Sequence, residues 1–383
     1  MISPANRLQH IQEYYFSSKL REVRQLQAQG NPIINMGIGS PDLAPAPEVL
    51  QALQNSLSDA CAHQYQSYQG LPELRQGMSA FYQRFFEVHL DWNAEILPLM
   101  GSKEGIMHLS MAFLNEGDAV LIPNPGYPTY TSVTQLLGAT PIYYELNEAL
   151  SWEPNWEVLE AMDLSKVKLM WLSYPHMPTG AAGSKAVLER LVAFAHRHRI
   201  MLINDNPYSF ILNDSPLSIL QIKGAMEVAM ELNSLSKTYN LAGWRVGMLS
   251  GKKEWIEAVL KVKSNMDSGM FYGIQKGAIA ALQLDSTWFE SQNRIYYKRR
   301  ELTFELASKL GLTYNPNSIG LFVWAKLPSS CPSAEAYIDQ LLYEKHIFLA
   351  PGTIFGSQGE GYVRFSLCVA AEEIQEAIER IAS

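Results

Sequence analysis

The chain has 383 residues, enough for two or three domains and a large core. Apolar residues make up 47% and charged residues 18%, which excludes a disordered chain, and 30 Lys and Arg against 38 Asp and Glu give a net charge of −8, which argues against nucleic acid as a main partner. No membrane span or signal peptide is expected from its apolar runs or from the start MISPANRLQH, and Cys61, Cys331 and Cys368 are too few and too scattered for a zinc site or a disulfide framework, so the expected setting is the reducing cytoplasm, with no metal.

In chain order, residues 6–29 read as a helix stopped by Gly30-Asn31-Pro32, on which Tyr14 and Tyr15 either cover a ligand site or, as the plainer reading, belong to a core-facing stripe. Residues 37–42 follow as a loop. From about 95 to 250, short apolar runs (119–123, 168–175, 200–205 and 228–234) alternate with helix-like stretches such as 186–196, which carries Leu188, Leu191, Val192 and Ala195 on one face. That alternation predicts βαβ units and an α/β fold with a mainly parallel sheet between helices. Ligands of such sheets gather beyond the carboxyl ends of the strands. The rest predicts a long charged helix over 290–310, short strands in 321–327 and 362–368, and a final helix at 371–381. These belong to a smaller α+β domain. The expected boundaries are 46–288 for the large domain, with 1–45 and 289–383 forming the small one.

The polar residues worth explaining stand just after the apolar runs. Lys237, in Ser234-Leu235-Ser236-Lys237, follows a buried run, and Arg245 stands eight residues on between Gly243 and Gly247. Two hydroxyls and an arginine suit a phosphate, and a lysine beside cations is a candidate Schiff-base nucleophile. The plain alternative is a solvated loop. Asp205 ends the run 200–205 with Tyr208 three residues on; it can pair with a protonated ring nitrogen or cap an Asp-Asn-Pro turn. Gly101-Ser102-Lys103 opens an apolar helix, as an anion site or as a Ser N-cap. Tyr127, in the turn 123–128, is a stacking face or a plug. Gly-rich nucleotide loops, GxSxG and HExxH are absent.

Taken together, GIGSPDL (37–43), YQSYQGLPELR (65–75), GSKEGI (101–106), PNPGYPTY (123–130), YPHMPTGA (174–181), NDNPY (204–208), SLSKTYNLAGWRVG (234–247) and YVRFS (362–366) resemble, in order, the class I/II aminotransferases of fold type I, which use pyridoxal 5'-phosphate. The stretch 263–275 looks like that of LL-diaminopimelate aminotransferases and their relatives. The resemblance implies that Lys237 holds the cofactor as a Schiff base and shuttles the proton. It implies that Asp205 keeps the pyridine nitrogen protonated, that Tyr208 donates to the ring oxygen and that Tyr127 stacks on the ring. Ser102, Lys103, Ser234, Ser236 and Arg245 would surround the phosphate, with Tyr65 reaching it from the partner of a homodimer. Arg364 and the backbone of Gly39 would hold the substrate carboxylate.

One residue departs from the family pattern: Met177 stands where the family has an Asn before Pro-Thr-Gly, and a thioether cannot donate. The neighbouring His176 is expected to point elsewhere. The expected activity is amino transfer from an L-amino acid to a 2-oxo acid. A C–S β-lyase would share Lys237, Asp205 and Arg245. A cofactor-binding regulator without turnover would need an added DNA-binding domain, for which 383 residues leave no room.

Overall fold

A computed structural model describes residues 2–8, 15–331 and 333–382. Seven strands form the main sheet: β1 (Ile96–Leu99), β2 (Ala119–Asn124), β3 (Thr140–Glu145), β4 (Val167–Leu172), β5 (Met201–Asp205), β6 (Ala229–Ser234) and β7 (Gly247–Ser250), in the order β1-β7-β6-β5-β4-β2-β3. Every neighbouring pair from β3 to β6 is parallel, while β7 runs antiparallel to both β6 and β1. The sheet is therefore mixed at one side and parallel elsewhere. Strands β1, β2, β6 and β7 are buried at every position, as expected of strands covered on both faces. The edge strand β3 has only Tyr144 buried.

The helices follow local rules. Lys185–His198 opens on Ser184, whose side chain accepts from the Val187 amide, and turns its Val187, Leu188, Leu191, Val192, Phe194 and Ala195 stripe to the core. The parallel strands β2, β4, β5 and β6 end at one rim, at Asn124, Leu172, Asp205 and Ser234.

Four further strands form a second sheet: β8 (Thr313–Tyr314), β9 (Phe322–Lys326), β10 (Ala350–Pro351) and β11 (Tyr362–Ser366), in the antiparallel order β10-β11-β9-β8. Ile34–Asn35 pairs in parallel with Ile347–Phe348, tying the chain's start to this end. The long helix Ser286–Lys309 and the last helix, Ala371–Ala382, lie close to the expected spans. The helix expected over 6–29 is a 3-10 turn at Asn6–Leu8 and an α-helix at Tyr15–Ala28; residues 9–14 lie outside the described residues. No described helix is long and apolar enough to cross a membrane.

Candidate active site

The strand ends open on a cavity of about 340 Å3. Lys237 lines it from the short helix Leu235–Thr238, which continues β6 directly. Its Nζ donates to the Gly39 carbonyl, so the start of the chain meets the lysine here. Burial lowers the Lys237 pKa, and the Arg364 and Arg245 charges push the same way. The lysine thus gives up its proton more readily than an exposed one.

Beside it, hydroxyls and cations converge. Ser102, Lys103, Ser234, Ser236 and Arg245 all line the cavity. Arg245 has a left-handed backbone (φ 58°), and its Nη1 donates to the Ala242 carbonyl and lies 3.5 Å from Ser236 Oγ. The helix Ser102–Phe113 points its first turn here, and its N-cap is Gly101 rather than Ser102, so the N-cap reading of Ser102 does not hold. A side chain at Gly101 would strike the guanidinium, since its Cβ would lie 2.2 Å from Arg245 Nη2. A Cβ at Gly247 would sit 2.7 Å from the Ser102 nitrogen. The two missing side chains leave room around the helix's first N–H groups, three hydroxyls and a fork of positive charge, which together suit a phosphate dianion.

Across the cavity stands Asp205, at the end of β5. Oδ2 accepts from Tyr130 at 2.9 Å, and Oδ1 is buried without a hydrogen-bond partner. The carboxylate caps no turn amide among these contacts, so the turn-cap reading fails. Burial pushes its pKa up to about 6; the Tyr130 hydrogen bond works against this, and the charge of Glu231 adds to it. Glu231 itself is fully buried and accepts from Tyr82, Ser218, Asn204 and the Ile219 amide. A buried acceptor left open, facing a cavity, asks for a cationic donor. Tyr127 and Tyr208 supply aromatic walls, and burial holds the Tyr208 hydroxyl well above the usual phenol range, in its protonated form.

Arg364 enters from β11. Its guanidinium lies between two rings, 3.9 Å from the Phe322 centroid and 4.7 Å from that of Phe355, and Nη2 donates to the Gly37 carbonyl at 2.8 Å. Nη1 reaches Met177 Sδ at 3.6 Å. Met177 therefore accepts where an amide would donate. His176 is turned away: Nδ1 bonds Thr179 at 2.8 Å, and burial keeps its pKa down at about 3, so the ring is neutral.

The cavity gathers Gly39, Ser102, Lys103, Tyr127, Asp205, Tyr208, Ser234, Ser236, Lys237, Arg245 and Arg364. Tyr65 is not among its lining and is 91% exposed on the surface. Tyr14 and the side chain of Tyr15 lie outside the described residues. Sequence reasoning missed Tyr130, Phe16, Phe322, Ile354 and Phe355, which also line the cavity. For the last two a signal existed: an apolar pair held between Gly352 and Gly356 just before a strand.

The comparisons with known proteins agree with this geometry. Residues 31–381 match the family described as aminotransferase class I and II. The chain is 38% identical to an LL-diaminopimelate aminotransferase of Dehalococcoides mccartyi, covering 99% of this chain and 98% of that one. It is also 38% identical to the enzyme of that name from Aquifex aeolicus, over 100% and 99% of the two chains. Among solved structures, apo-BacF from Bacillus subtilis superposes with a TM-score of 0.95 at 35% identity, covering 100% of this chain and 98% of that chain. A single mutant of Thermus thermophilus aspartate aminotransferase gives 0.93 at 26% identity, covering 100% and 99%. With a fold and matches that run nearly the length of the chain, this protein belongs to the class I and II aminotransferases, which depend on pyridoxal phosphate.

Proposed function

We propose that this cavity holds pyridoxal 5'-phosphate and moves an amino group from an L-amino acid to a 2-oxo acid in two half-reactions. One observation carries the assignment: a half-buried lysine, an anion cradle and a buried carboxylate with an open oxygen share a single cavity. These residues fit the cofactor's three demands, a covalent anchor, a phosphate site and a partner for a protonated ring nitrogen. Ser102, Lys103, Ser234, Ser236 and Arg245 hold the phosphate, Asp205 the nitrogen, Tyr208 the ring oxygen and Tyr127 a ring face.

When bound, the cofactor supplies an electron sink for the electrons left at the substrate α-carbon. The protein does the rest. Lys237, whose pKa burial and two arginine charges lower, gives up its proton more readily than an exposed lysine and takes and returns a proton at Nζ. Arg364 orients the substrate by its carboxylate, assisted by Gly39. The rings of Phe322 and Phe355 hold the fork in place and keep water from it. A point charge cannot reproduce that fork, so Arg364→Lys should raise KM at least about tenfold for every amino acid tested. A rise confined to dicarboxylic substrates would place Arg364 at the side-chain pocket instead.

The site is completed by a second copy of the chain, in a homodimer. Tyr65, exposed on its own chain, reaches the phosphate as Tyr65 of the partner subunit. Mixing Tyr65→Phe dimers with inactive Lys237→Ala dimers should give hybrids with one site free of both changes, and so roughly wild-type turnover at that site. No recovery after proven subunit exchange would return Tyr65 to its own site.

The same reading divides the chain into a cofactor-binding unit over 46–288, which holds the seven-stranded sheet, and a smaller unit of 1–45 with 289–383. The pairing of Ile34–Asn35 with Ile347–Phe348 supports that grouping. Three cysteines without a disulfide suit a cytoplasmic enzyme. A transamination screen of the purified, cofactor-loaded protein across amino acids and three 2-oxo acids tests the activity. Steady release of pyruvate and ammonia without any 2-oxo acid would make it a lyase.

A further inference from the structure

The segment between β10 and β11 is folded back on itself and docked onto the main sheet. Gly352 and Gly359 bring its ends together so closely that a Cβ on Gly352 would lie 2.0 Å from the Gly359 carbonyl oxygen. Two 3-10 turns, Gly352–Phe355 and Ser357–Gly359, make up its body. It carries Ile354 and Phe355 into the cavity, and Phe355 is the ring on one side of the Arg364 guanidinium.

What holds it there is Asn124, the last residue of β2. This side chain is 5% exposed, and both ends of its amide are used on the segment: Nδ2 donates to Ser357 Oγ at 2.8 Å, and Oδ1 accepts from the Gln358 amide at 3.1 Å. The Gly126 amide adds a bond to the Phe355 carbonyl at 2.8 Å. Gly356, at φ 125°, lets the amide come so near that a Cβ there would be 2.2 Å from Asn124 Oδ1. Asn124 itself lines no part of the cavity. It acts through the wall it fixes.

The chemistry of that wall selects the substrate. Phe322, Phe355 and Met177 touch Arg364, and Phe16 and Ile354 line the same cavity, all without charge. Among the described residues, the other charged side chains lining the cavity are Lys103, Asp205, Lys237 and Arg245, the groups assigned above to the cofactor. Among the described residues of this chain, a second carboxylate or ammonium on the substrate side chain would be stripped of water against that apolar wall without a charged partner on it. We infer that residues 352–358 form the specificity wall for an uncharged, apolar substrate side chain, and that Asn124 is the positioning residue that sets this wall. The inference rests on the aminotransferase reading above. It also separates this chain from relatives named for LL-diaminopimelate, a substrate with a second ammonium and a second carboxylate.

Carboxylates without an amino group read the pocket by binding alone. The cofactor-loaded protein is titrated calorimetrically with 3-phenylpropanoate, 4-methylpentanoate, glutarate, 6-aminohexanoate and propanoate. The two apolar ligands should bind at least about tenfold tighter than glutarate or 6-aminohexanoate. Asn124→Ala should shrink that preference to within about threefold and leave propanoate, which needs only the carboxylate site, unchanged. Ser357→Ala removes one of the two bonds and should cut the preference by roughly half as much on a logarithmic scale. Glutarate or 6-aminohexanoate binding as tightly as the apolar ligands would overturn the substrate class. An equal weakening of all five ligands by Asn124→Ala, or an unchanged preference in Ser357→Ala should Asn124→Ala fail to fold, would overturn the positioning role. Efficient transamination of only charged amino acids would sink this inference while leaving the proposed function standing; no transamination of any amino acid would instead sink the function.

Discussion

Lys237→Ala is expected to reduce transamination to the background rate while leaving the fold intact. On the proposed function, the change removes at once the covalent anchor and the proton carrier. No neighbour can take its place. A guanidinium such as that of Arg245 or Arg364 only donates, and Asp205 already accepts from Tyr130. The lost contact to the Gly39 carbonyl is a single hydrogen bond, worth about 1 kcal/mol, and the helix Leu235–Thr238 keeps its Ser234 cap. The variant should therefore unfold within a few degrees of wild type. It should also retain cofactor loosely through the phosphate cradle and lack the absorption of a lysine-linked cofactor. Transamination within tenfold of wild type would remove Lys237 from the centre of the mechanism.

Much of this site is legible in the sequence because its parts are local. Lys237, its two serines and Arg245 lie within twelve residues and are fixed by one strand, one helical turn and the strand that follows. Asp205 and Ser102 each stand at an element boundary, where composition changes abruptly. Other features depend on contacts that no window of sequence contains. Strand β3 escapes the apolar-run rule because it is an edge strand with one buried residue. The reversed direction of β7 has no signature, since a buried strand reads alike both ways. Asn124 meets Ser357 across 233 positions, and the ring pair around Arg364 comes from β9 and from the segment before β11. The four donors on Glu231 come from three separate places in the chain, Tyr82, Asn204 and the neighbours Ser218 and Ile219, and give its burial a reason that sequence alone does not.

Asp205→Asn is the second large effect, and it has two faces. On the proposed function, the amide could not hold a proton on the ring nitrogen of the loaded enzyme. The electron sink weakens, and the rate should fall by about a thousandfold or more, with a modest loss of cofactor. In the apoprotein the sign reverses. The folded Asp205 carboxyl has a pKa of about 6 against 3.8 for an ordinary aspartate, because burial disfavours the charge and Glu231 adds repulsion. Between those two values the folded state binds more proton than the unfolded state. Stability from this group therefore falls as pH rises through the window, by up to about 3 kcal/mol. Asparagine carries no such charge. Apo Asp205→Asn should match apo wild type near pH 4 and exceed it above pH 6, and cofactor binding should erase the difference by giving the carboxylate its cation. Denaturant unfolding of both apoproteins from pH 4 to 7 measures this. Parallel stability profiles, or equal turnover of the two loaded enzymes, would show that Asp205 is not the buried, cation-seeking carboxylate on which the proposed chemistry depends.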